Sequence, residues 1–197
     1  TNKVIEALNI GSVEMVNLNQ NLLTPDFILI GMLEQESSMT IKLIETSYPE
    51  NKDLSNQILE KLFATQENQP KFEGSAIQQI QSSAETEACF EVALQESKKL
   101  GDKFIGLDAM FLALFDKRVG HVSDILTEFG LKYSKVREDI ENMRGGRNID
   151  EKDAEGKLDV INQYTSDLTD LARRGDLDPV VGREKEIHRI IQILSRR

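Results

Sequence analysis

The residue types that could do chemistry in this chain stand in spacings that do not support it. The run His121, Val122, Ser123, Asp124 holds the three residue types of a nucleophilic triad. A triad needs a base within hydrogen-bond reach of the nucleophile and a third group that orients the base, and sequence neighbours seldom provide that geometry. The run reads as one face of a surface helix. A phosphate-binding loop needs glycines that let phosphate approach the backbone and a Lys followed by Ser or Thr. Here Gly156 and Lys157 are followed by Leu158, and Glu151 stands at the first glycine position. No Gly-x-Gly-x-x-Gly occurs, and the two histidines, His121 and His188, stand in no zinc-binding spacing. Glu85 and Glu87 read as solvated helix charges, with nothing beside them to raise one carboxyl for acid catalysis. Cys89 is the only cysteine. Beside Ala88, Phe90 and Val92 it reads as a small packed thiol, it excludes an intrachain disulfide, and it fits a reducing compartment. The expectation is a chain with no catalytic residues, no metal site and a cytoplasmic location.

The composition narrows the partners. A net charge of −10 over 197 residues repels phosphate backbones, and no stretch gathers enough Lys and Arg to reverse this locally. Nucleic acid is therefore not an expected partner. No apolar run reaches the eighteen or so positions that a membrane span requires, so no membrane partner is expected either. Thr1 to Leu8 carries no secretory pattern. Because the numbering opens on Thr, removal of upstream residues is allowed for.

The elements are helical. Val4, Leu8, Met15, Leu18 and Leu22 fall on one stripe, and Gly11 in that stripe offers room for a close neighbour. The sequence then matches itself at a constant offset of 82 positions, as from Asp26 to Asp108. The stripe returns as Phe90, Ala93, Ser97, Leu100 and Phe104. Leu22, Leu23, Ile28, Leu29, Ile30, Met32 and Leu33 match Phe104, Ile105, Met110, Phe111, Leu112, Leu114 and Phe115, and Leu43, Ile44, Leu54 and Ile58 match Ile125, Leu126, Val136 and Ile140. One register held through several helices and turns points to an internal duplication. The expected fold is all-α, with two pseudo-symmetric four-helix repeats over residues 1–65 and 78–143 that form one domain, 1–143.

Local signals fit this division. Thr24, Pro25 and Asp26 open a helix as N-cap, first-turn proline and a carboxylate at the positive helix end. Gly101 and Gly130 can end helices in the left-handed region. Pro70 and Gly74 among polar residues mark a connector between the halves. After Met143, Gly145 and Gly146 lead into a polar stretch without apolar periodicity, expected as a flexible linker over 144–157. Two further helices are expected, one from about Leu158 to Arg174 and one from Arg183 onward. The latter shows an apolar face of Ile187, Ile190, Ile191 and Leu194 that needs a partner layer beyond this sequence.

With these features in view, the chain resembles the ClpB-type AAA+ disaggregase chaperones. The most specific match is Asp167-Leu168-Thr169, then Ala172, Gly175, Leu177-Asp178-Pro179-Val180-Val181-Gly182-Arg183, Glu186-Ile187, Arg189, Ile191-Gln192 and Leu194. It resembles the entry to the first ATPase module of Clp-type proteins, so 158–197 is expected to begin that module and stop before its phosphate-binding loop. The paired halves resemble the family's N-terminal repeats, and Met143-Arg144-Gly145-Gly146 its hinge. The resemblance implies a region that recognises unfolded or aggregated polypeptide above a homo-hexameric ATPase ring that works with an Hsp70-type chaperone. ATP is implied for the full-length protein and none for this chain, although Pro179, Val180, Val181, Gly182 and Arg183 resemble part of an adenine pocket.

The same resemblance implies substrate contacts at Thr1, Asp102 and Asp108, with an apolar groove from Phe90, Leu94 and Ala109. Capping competes with this role at Thr1 and Asp108, solvation of a turn at Asp102, and core packing at Phe90. Asp102 stands where the wider Clp pattern commonly has His, which favours the disaggregase type, and Gly106 replaces a capping Thr or Ser. The alternative is the adaptor-docking domain of a protease-linked Clp ATPase of the ClpC or ClpA type.

Overall fold

A computed structural model describes residues 1–36, 38–71 and 80–156, together with 175, 188–189 and 191–193. The chain divides into two compact units, Thr1–Asp159 and Val160–Arg197. The helix expected from Leu158 to Arg174 and the adenine-pocket match Pro179–Arg183 lie outside the described residues. So does most of the final helix, of which Ile191 is described and exposed.

Among its described residues the first unit contains eight α-helices, four in each half, and a helical turn at 154–156. The first is α1 (Asn2–Asn17), followed by α2 (Pro25–Glu34), α3 (Met39–Ser47) and α4 (Leu54–Glu67). The second half gives α5 (Ala84–Lys99), α6 (Leu107–Ala113), α7 (His121–Glu128) and α8 (Tyr133–Arg144), with a 3-10 turn at Lys117–Val119. The all-α class and the double four-helix repeat stand as expected. One small addition is a parallel pair of two-residue strands, β1 (Leu22–Leu23) and β2 (Gln81–Ser82), in the register Leu22 to Gln81 and Leu23 to Ser82.

α1 forms because Val4, Ala7, Gly11 and Met15 repeat at helical spacing and all are buried. Thr1 caps it, its hydroxyl accepting a hydrogen bond from the Val4 amide at 3.4 Å. Of the expected stripe, Leu8 and Leu18 pack at the margin of the core, while Leu22 is largely exposed. At the centre lie α2 and α6, which correspond through the offset. Every residue of α2 except Glu34 is buried, and every residue of α6. Their surroundings are the other helices: α3 packs on α8 and α6, and α4 and α2 pack on α7, so the repeats share one core.

The first repeat is packed more tightly. A Cβ on Gly11 would lie 2.0 Å from the Phe27 carbonyl oxygen, and one on Gly31 would lie 1.9 Å from that of Ala7. Only glycine permits that α1–α2 approach. The matching positions in the second repeat carry Ala93 and Ala113. Gly101 and Gly130 adopt positive φ as expected, while the counterpart of Gly101 is Asn19, at φ 55°. Thr24 precedes α2, but its hydroxyl makes no cap bond; Pro25 contributes the preset φ instead.

Candidate functional site

The loop between α5 and α6 brings Thr1, Asp102 and Asp108 to one end of the second repeat. At their centre is Arg144, the last residue of α8. Its Nη1 and Nη2 donate to the two carboxylate oxygens of Asp102 at 2.8 and 2.7 Å, and its Nε donates to Asp108 Oδ2 at 2.6 Å. Nη2 also lies 2.5 Å from Asp108 Oδ2. The two-pronged contact uses the planar fork that suits arginine to carboxylates. The side chains of Asp102, Asp108 and Arg144 are 0%, 3% and 9% exposed, so this is a buried charge cluster. Burial pushes the Asp108 carboxyl up, and the charge and hydrogen bond of Arg144 pull against that shift. Burial lowers Arg144, but the hydrogen bonds and charges of both aspartates outweigh it and hold the guanidinium ionised.

The chain beyond α8 completes the cluster. Gly145 and Gly146, with φ 54° and 79°, turn it back across the α5–α6 loop. The Ile149 amide donates to Asp102 Oδ1 at 2.7 Å, and its carbonyl accepts from Lys103 at 3.0 Å. The Lys152 carbonyl accepts from the Asn2 amide at 2.9 Å. Glu155 is buried; its Oε1 accepts from the Leu107 amide at 2.6 Å, and its Oε2 accepts from the Thr1 hydroxyl. Burial pushes its carboxyl up to about 6, opposed by those two hydrogen bonds. The described part of the stretch expected as a flexible linker is thus packed, because one apolar residue and one carboxylate in it find partners far away in the sequence.

The apolar candidates lie elsewhere on the second repeat. Phe90 and Leu94 stand one helical turn apart on α5; Phe90 is half-buried against the core and Leu94 is 46% exposed. Ala109 is fully buried on α6, its amide held by Asp108 Oδ1 at 2.7 Å. Next to Arg144, Met39, Leu43, Leu107, Phe111, Ile140 and Met143 line a narrow crevice. Thr40 also lines it, with a buried hydroxyl that has no hydrogen-bond partner. A further apolar face runs along α1, where Ile5, Val13 and Val16 are exposed.

The residue types of the would-be triad are drawn apart. His121 Nδ1 lies 3.1 Å from Asp26 Oδ1 across the repeats, and the Ser123 hydroxyl donates to the Gly120 carbonyl. Cys89 is fully buried, its thiol pushed up to about 12 by burial. Among the described residues no group of three or more potential metal ligands converges. No described helix is long and apolar enough to cross a membrane.

Three residues of the cluster are not marked as site residues by the sequence. Arg144 stands out there only as part of a hinge, and Ile149 and Glu155 fall where no periodicity exists. One signal points to the last two: Gly106 in place of a capping residue. A Cβ there would lie 2.3 Å from Ile149 Cδ1 and 3.0 Å from Glu155 Oε1, so glycine leaves room for the returning chain.

Two helical repeats around a shared core, with a buried charge cluster at one end of the second, define a domain of the double-repeat helical class. The chain belongs to the Clp repeat (R) N-terminal domain family, whose model matches residues 1–129. Its relatives include the chaperone protein ClpB of Corynebacterium glutamicum, 28% identical over 100% of this chain and 22% of that protein. The ClpB of Mesorhizobium japonicum is 33% identical over 91% of this chain and 20% of its own length. The chloroplastic ClpB3 of Arabidopsis thaliana is 32% identical over 90% and 18%. The chain therefore spans about a fifth of the length of these relatives. Among solved structures, the Hsp104 N-terminal domain from Candida albicans matches with a TM-score of 0.57 and 17% identity, covering 74% of this chain and 91% of that one. That likeness is one of fold.

Proposed function

We propose that this chain is the substrate-recognition region of an ATP-dependent protein disaggregase, binding exposed apolar segments of unfolded or aggregated polypeptides and performing no catalysis itself. The observation that carries the reading is the extent of the ClpB match, which runs through all 197 residues and so past the repeat domain. ATP, a homo-hexameric ring and an Hsp70-type partner belong to the full-length protein in this reading.

The surface suits weak capture. Leu94, Met143 and the α1 face offer apolar area without a deep cavity. Burying about 150–200 Å² returns roughly 4–5 kcal/mol before association costs, which corresponds to millimolar affinity or weaker. Several tethered copies would gain avidity without any new contact. Titrating a permanently unfolded polypeptide into the isotope-labelled chain tests the reading by NMR. Amide shifts at Leu94, Met143, Val13 or Val16 are expected at millimolar ligand; an unchanged spectrum would contradict it.

A further inference from the structure

We propose that residues Asn148–Gly156 are an internal ligand in a polypeptide-receiving groove formed by the α5–α6 loop and the start of α1. The groove's preferred occupant is a segment that presents an aliphatic residue, turns, and carries a carboxylate six positions later at the start of a helix, the pattern of Ile149 and Glu155.

The contacts are those of a bound peptide rather than of a core element. They use the backbone at Ile149 and Lys152, one aliphatic side chain seated beside Gly106, and one carboxylate held by the Leu107 amide and the Thr1 hydroxyl. Between the two anchors, Asp150, Glu151, Lys152 and Asp153 are exposed. A segment fastened by so few buried groups, and hung from two glycines, is suited to exchange.

The first repeat supplies independent support. There the corresponding loop receives a short strand: the Gln81 amide donates to the Asn21 carbonyl at 3.0 Å, and the Ser83 amide to the Leu23 carbonyl at 3.1 Å. Under the offset, Asn21 and Leu23 match Lys103 and Ile105. The Lys103 amide pairs with Ile149, and the Ile105 carbonyl accepts from the Thr1 nitrogen at 2.9 Å, as Leu23 accepts from Ser83. The same loop therefore makes backbone hydrogen bonds with other segments in both repeats, as a strand pair in the first and with Ile149 and Thr1 separately in the second. In the first, the added strand β2 leads straight into α5. In the second, the segment comes from beyond the repeat and covers Thr1, Asp102 and Asp108.

This inference rests on the polypeptide-binding reading above but names a different surface, so the two can fail separately. The test uses the full chain and a labelled synthetic peptide with the sequence of residues 147–156. The double variant Ile149→Ser, Glu155→Ala, and the milder Ile149→Ser alone, should vacate the groove. Each is expected to bind the peptide at least about tenfold tighter than the native chain, with shifts at the Lys103 and Leu107 amides. A peptide carrying the same two substitutions, which cannot unfold the domain, should lose that binding. Equal affinity of native and variant chains, or undiminished binding of the substituted peptide, would overturn the groove. Peptide binding without any response to unfolded polypeptide would uphold the groove and remove the client reading.

Discussion

Asp26 and Asp108 occupy matching positions in the two repeats, and both are buried, yet they meet different partners. Asp108 is locked by Arg144 and roofed by the chain beyond α8. Asp26 faces the half-exposed ring of His121, at the edge of an open cleft of about 470 Å³. The central helices of the two repeats keep their burial although Asp26 and Asp108 are the one identical pair between Pro25–Leu33 and Leu107–Phe115, while their ends have diverged into one closed and one open. The duplication thus preserved the elements whose burial drives folding and left the loop ends free to acquire separate roles.

The largest expected effect comes from removing the lock. Arg144→Ala leaves two buried carboxylates without their cation and should cost about 3–5 kcal/mol, whereas His121→Ala should cost no more than about 1 kcal/mol. Urea denaturation of both variants compares them, and equal losses would erase the distinction between the ends. Next in size is the α1–α2 crossing. Gly31→Ala should cost about 1–3 kcal/mol through overpacking against the Ala7 carbonyl, although alanine is the native residue at the matching position 113. Thermal unfolding measures this.

Glu155 gives a smaller effect with a definite sign. Its folded carboxyl sits near 6, above the ordinary value of 4.5. Its contribution is therefore full below about 4.5 and is lost as pH rises through about 6. At about 1.4 kcal/mol per unit, the change is at most about 2 kcal/mol. The groups facing it are the Thr1 hydroxyl and amine, the Leu107 amide and Asp108. Glu155→Gln should flatten the fall in melting temperature between pH 4.5 and 6.5, and a parallel curve would assign the fall elsewhere. Smallest of all is Cys89→Ala. The matching position already carries Ala7, so the cost should stay within about 1 kcal/mol, as chemical denaturation would show.

The same contrast explains what the sequence reveals. Helices with four or more turns of apolar repeat, such as α1, and glycine stops such as Gly101 and Gly130 announce themselves through local spacing. The offset of 82 makes the pairing of α2 with α6 legible as well. β1 and β2 are too short to leave an alternating pattern. The Asp26–His121 contact and the bond from Thr1 to Glu155 join residues so distant that no local rule links them. Thr1, Asp102 and Asp108 are marked by the family resemblance, and spacing alone points no more strongly to a site than to caps. Arg144 is visible only as a hinge residue, because its partners are set by the return of α8 to the α5–α6 loop.

Amide hydrogen exchange in the native chain tests the central contrast most directly. The Ile149, Lys103 and Leu107 amides should be protected together, and should lose that protection together in the Ile149→Ser, Glu155→Ala variant while α2 and α6 remain protected. Exchange of the Ile149 and Lys103 amides at unstructured rates in the native chain would mean that this end of the domain stands open like the other.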